Sequence, residues 1–152
     1  MSSVNVLFSN VYREMGLKEE DITQRCISLV VFSGKSRTTL GETVLPLYTK
    51  GVNMYTKFLI LDSPSAYNVI LGCPWIHRME AIPSTFHQII RFPTKWGIKE
   101  LYRKHHDSRQ CYQTTLKLQA HPQEFSNYRK LLQENRERMN ERWKKLMKYP
   151  SI

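Results

Sequence analysis

The sequence predicts a mostly β body with short helices, followed by a C-terminal α-helix. Three observations predict it. Segments rich in Val, Ile, Leu, Thr, Tyr and Phe alternate with turn chemistry, a proline stands where it can open a short helix, and apolar residues recur at helical spacing beyond Pro122.

In chain order, Val4, Leu7, Phe8, Val11 and Met15 share one face of a 3.6-residue period, which predicts an opening helix. Ser2 or Ser3 can cap its start, and Gly16 can close its end in a left-handed conformation. After the acidic stretch Glu19–Asp21 the pattern turns strand-like. Strands are predicted over Cys26–Phe32, Thr39–Leu47, Val52–Leu61 and Phe86–Phe92. Ser33-Gly34-Lys35, Lys50-Gly51 and Asp62-Ser63-Pro64 are turns between them. Thr94-Lys95-Trp96-Gly97 links Phe86–Phe92 to a further strand at Ile98–Tyr102. Pro74 can open a short helix through Trp75, Ile76 and Met79, because proline at the first helical position gives up no hydrogen bond. Arg103–Gln110 is polar and reads as a linker. From Pro122 a second helical pattern runs through Phe125, Tyr128, Leu132, Met139, Trp143 and Leu146.

The chain of 152 residues has room for one domain and an appendage, here placed at 1–118 and 119–152. Its net charge of +10 is unevenly spread: 11 Lys/Arg stand against 8 Asp/Glu in residues 1–100, and 12 against 5 in 101–152. The second part is a basic amphipathic tail that can meet polyanions, with Arg129, Arg136, Arg138, Lys144 and Lys145 as candidate phosphate contacts. The plainer alternative is a helix packed through its aromatic side and solvated on its charged one. The longest apolar runs are four residues, so neither a membrane span nor a secretory leader is expected. Three widely spaced cysteines form neither a disulfide framework nor a zinc knuckle, which favours an intracellular site, cytoplasmic or nuclear.

Several strings, in order, resemble the protease region of plant gypsy-type retrotransposon polyproteins. They are Ser2-Ser3-Val4-Asn5-Val6-Leu7-Phe8, then Pro64 to Gly72 with Pro74-Trp75-Ile76-His77, then Pro83 to Gln88, Phe92-Pro93-Thr94 through Gly97-Ile98, and Arg109 to Tyr112. The resemblance spans about residues 2–118. It implies a partial retropepsin-like fold acting as a homodimer, each subunit giving one aspartate to a shared dyad. Two close carboxylates cannot both ionise, so one keeps a proton while the other activates water. It also implies that Ser2 and Ser3 are the remnant of the active-site turn, and that Ile70-Leu71-Gly72 packs behind it, the glycine allowing close backbone approach.

Two departures stand out. Met1 occupies the position of the family's active-site Gly, and Cys73 stands where the family usually has Arg. The resulting expectation is a catalytically inactive protease-like remnant, which an in-frame upstream Asp-x-Gly would turn into an aspartic endopeptidase. A nucleic-acid-binding or protein-interaction module working through the basic helix is the alternative. Asp62-Ser63 is no substitute motif, because Pro64 lacks the amide such a turn presents. His105, His106, Asp107 and Cys111 carry metal-binding atoms without zinc spacing, and Cys73 with His77 is one helical turn apart without a visible oxyanion site. No metal or cofactor is therefore expected.

Overall fold

The computed structural model describes residues 2–30 and 34–120, excepting the side chains of 118–120. The basic helix expected from Pro122, with Arg129, Arg136, Arg138, Lys144 and Lys145, lies outside the described residues.

The elements are β1 (Val6–Phe8), α1 (Ser9–Glu14), a 3-10 turn (Glu19–Asp21), β2 (Ser28–Val30), β3 (Ser36–Thr49), β4 (Val52–Leu61), β5 (Val69–Ile70), α2 (Cys73–Arg78), β6 (Ile82–Ser84), β7 (Ile89–Thr94), β8 (Gly97–Tyr102) and α3 (His105–Ala120). Five strands form one sheet in the order β2-β3-β4-β1-β5, and three form another in the order β6-β7-β8.

The longest ladder joins β3 to β4 in antiparallel register from Thr39↔Leu61 to Thr49↔Val52. Its turn is two residues long, Lys50 and Gly51, with φ of 50° and 93°. Positive φ at both positions matches the right-handed twist of the flanking strands, as a two-residue hairpin turn requires. β1 then lies parallel to β4, Val6 opposite Leu59, and antiparallel to β5, Val6 opposite Ile70.

The expected opening helix is a strand followed by a helix. Val6, Leu7 and Phe8 are all buried, because β1 is covered on both faces. A short apolar run of that kind satisfies either period, and tertiary burial decides it. The helix proper begins at Ser9, with Phe8 in the cap position and no side-chain cap, so Ser2 and Ser3 do not serve there. Gly16 is left-handed at φ 72°, just after the helix ends. The expected linker Arg103–Gln110 is also overturned, since α3 starts at His105. Its polar residues are those of a largely exposed helix, whose Thr114 is buried.

The main core gathers Leu7, Val11 and Tyr12 from the N-terminal elements, Leu47, Phe58 and Ile60 from β3–β4, Trp75 and Met79 around α2, and Phe92 from β7. Phe92 belongs to this core, and Ile90 and Leu101 pack against the cluster, so the second sheet is fastened to the first. A smaller cluster of Val6, Phe8 and Leu61 lies apart from it, with Val4, Leu29, Tyr67 and Ile70 against it.

Candidate functional site

β1 is the pivot of the site, because its alternation splits the two clusters. Leu7 faces the main core while Val6 and Phe8 face the smaller one. The segment Ile70-Leu71-Gly72 runs beside it and turns into α2.

At that turn the backbones of the two segments nearly touch. A Cβ on Gly72 would stand 2.3 Å from the Val4 carbonyl oxygen and 2.6 Å from that of Ser2. No side chain fits there, which gives the glycine a steric role at an ordinary negative φ. The Gly72 N–H donates to Asn5 Oδ1 at 2.8 Å, and the Cys73 N–H donates to the Ser2 carbonyl at 2.9 Å. Asn5 completes the link by donating Nδ2 to the Lys57 carbonyl at 3.0 Å. One buried amide thus ties the 70–72 segment, β1 and β4 together. Ser2 Oγ donates to the Val4 carbonyl at 2.7 Å and tightens the strand entry, while Ser3 is exposed.

The structure therefore brings Ser2, Gly72 and Cys73 into direct backbone contact, with Ile70 paired to Val6 next to them. Asn5 went unnoticed in the sequence. Its signal was a lone polar residue inside the apolar run Val4–Phe8, which must find partners if the run is buried.

The far end of β1 is closed by Ser9, whose Oγ donates to Asp62 Oδ1 at 2.7 Å. Asp62 is therefore a turn residue bound to a neighbouring helix start. Asn68, just before β5, accepts the Phe8 N–H at its carbonyl at 3.3 Å. Its own Nδ2 is buried and has no hydrogen-bond partner among the described residues.

Cys111 of α3 reaches the 65–68 loop, its thiol donating to the Ala66 carbonyl at 3.6 Å. Burial pushes that thiol above its ordinary range, with Asp107 adding to the effect. Burial also raises the Tyr67 phenol, and Cys111 contributes. Both shifts favour the neutral forms, so neither group is an activated nucleophile. Cys73 and His77 stand one helical turn apart on α2. His106 and Asp107 approach to 3.6 Å on an exposed stretch of α3, and no group of three or more metal-binding side chains is gathered among the described residues. Among those residues, no helix is long and apolar enough to cross a membrane.

No protein-family model matches the chain, and no curated protein does. Among solved structures it is similar to the retroviral protease-like domain of Ddi1 from Leishmania major, with a TM-score of 0.50 and 13% identity over 68% of this chain and 81% of that one. The fold is retropepsin-like. At this identity the likeness concerns architecture alone, and the arrangement it shares is the mostly β body with short helices described above.

Proposed function

We propose that this chain is a protease-derived domain whose own residues do not assemble a hydrolytic centre. The observation that carries the reading is the junction of Ser2 and Val4 with Gly72. It is built of backbone contacts and the Asn5 amide, and no aspartate takes part in it. The three aspartates of the sequence are Asp21 on the 3-10 turn, Asp62 bound to Ser9, and Asp107 on α3. Acid-protease chemistry needs two carboxylates close enough to share a proton. The strings around Ser2–Phe8 and Pro64–Gly72 support an origin in a gypsy-type retrotransposon polyprotein, and the same resemblance supports a second copy of the chain as partner. The test is peptide cleavage by the purified chain between pH 3 and 6. No turnover is expected. Cleavage that an aspartyl-protease inhibitor abolishes would overturn the proposal.

A further inference from the structure

A groove of about 300 Å³ runs along β4 between α2 and the segment ahead of β2. Leu59 and Trp75 form its apolar floor, and Arg25, Lys57 and Arg78 stand around it. Glu42 also lines the groove, and Lys57 Nζ holds it at 3.2 Å while Arg25 lies 4.0 Å away. Three cations against one carboxylate leave the groove with an excess of positive charge.

Among the described residues, the wall formed by β4 is a strand edge that lacks a neighbouring strand over part of its length. Leu59 donates its N–H to the Asn5 carbonyl, and the carbonyls of Lys57 and Tyr55 accept from Asn5 Nδ2 and Arg78 Nη1. The odd residues of β4 therefore turn their backbone groups away from β3. The register agrees, because Tyr55 stands opposite Pro46, which has no N–H to give. β1 covers this edge only from Leu59 to Leu61. Among the described residues no strand pairs with it from Asn53 to Lys57, which leaves the Tyr55 and Lys57 N–H groups facing outward.

From this juxtaposition we infer that the groove is a docking site for an extended acidic segment of a partner protein, which adds to the open edge of β4. Edge addition supplies main-chain hydrogen bonds, and alternate side chains supply specificity. Here one set of alternate side chains enters the apolar floor while the others carry carboxylates to Arg25, Lys57 and Arg78. The chain's own residues 121–152 are poorly suited to this role, since their eight Lys/Arg outnumber four Glu.

The test is an NMR titration of the full ¹⁵N-labelled chain with a capped hexapeptide of alternating Glu and Val. Two controls are its Lys–Val counterpart and a version with every backbone nitrogen methylated. Shift changes centred on Asn53, Tyr55, Lys57 and Trp75 are expected, with both controls weaker by on the order of tenfold. Arg25→Glu with Arg78→Glu should reverse the preference toward the Lys–Val peptide, a switch that misfolding cannot produce. Lys57 is left in place there to keep Glu42 paired. Equal response to both charge types overturns the inference, as does undiminished response to the methylated peptide. So does protection of the Tyr55 and Lys57 amides from hydrogen exchange in the free chain, because the edge would already be covered.

Discussion

The two sheets solve the problem of burial differently. In the five-stranded sheet β1 is covered on both faces, and its neighbours approach so closely that a methyl group cannot be added at Gly72. In the three-stranded sheet Phe92 turns inward at 1% exposure while Ile82, Ile98 and Tyr102 remain 71%, 73% and 69% exposed. These three surround an ion pair between Arg91 and Glu100, joined by a hydrogen bond from the Tyr102 hydroxyl to Glu100. The first sheet is thus specified by backbone fit, and the second by one buried face with freedom on the other. Sequence change should cost accordingly.

Phe58→Ala gives the largest expected loss. The ring is fully buried, so removing it should lower stability by about 3–5 kcal/mol, read from chemical denaturation. Gly72→Ala comes next, although it adds one carbon only. The obstructing atoms are backbone oxygens that cannot rotate aside, which places the loss near the top of the roughly 1–3 kcal/mol range for overpacking. Calorimetry of the variant would check it, and an unchanged melting temperature would mean that the two segments can separate freely. Ile98→Thr on the wet face of the second sheet should stay within about 0.5 kcal/mol of the parent. A loss matching that of Phe58→Ala would erase the contrast between the sheets.

The smallest effect concerns pH. Hydrogen bonds from Tyr102 and then Arg91 hold the Glu100 carboxyl below its ordinary 4.5. A carboxyl lowered in the folded state contributes above its ordinary value, and the contribution disappears as pH falls through the lowered one. NMR titration should therefore place the Glu100 midpoint below that of an ordinary glutamate, and Tyr102→Phe should return it part of the way.

The same contrast explains what was legible in the sequence. Val52–Leu61 matches β4 at both ends, and the turns at Lys50-Gly51 and Thr94–Gly97 fall where Gly and polar residues announce them. Pro74 marks the start of α2 for the same local reason. Local signals failed where long-range contact decides. β1 imitated a helix because Leu7 and Phe8 fall at helical spacing from Val4 and Val11, whereas the run Val6-Leu7-Phe8 is a strand buried on both faces. β5 and β6 are two and three residues long, too short for any periodicity to register. α3 was hidden by a polar composition typical of a loop. Within the candidate site, Ile70-Leu71-Gly72 was found through family resemblance, whereas the role of Asn5 depends on partners far away in the chain and emerges only once β1, β4 and the 70–72 segment are assembled.

The parallel seam between β1 and β4 has a consequence for the entropy of folding. A hairpin such as β3–β4 closes over two residues, at little entropic cost. Seating Val6 beside Leu59 instead closes the whole intervening chain into one loop, at a larger entropic cost. The groove along β4 thus depends on two pairings of unequal reach, a short hairpin within easy grasp of the chain and a distant seam that must draw remote stretches of sequence together.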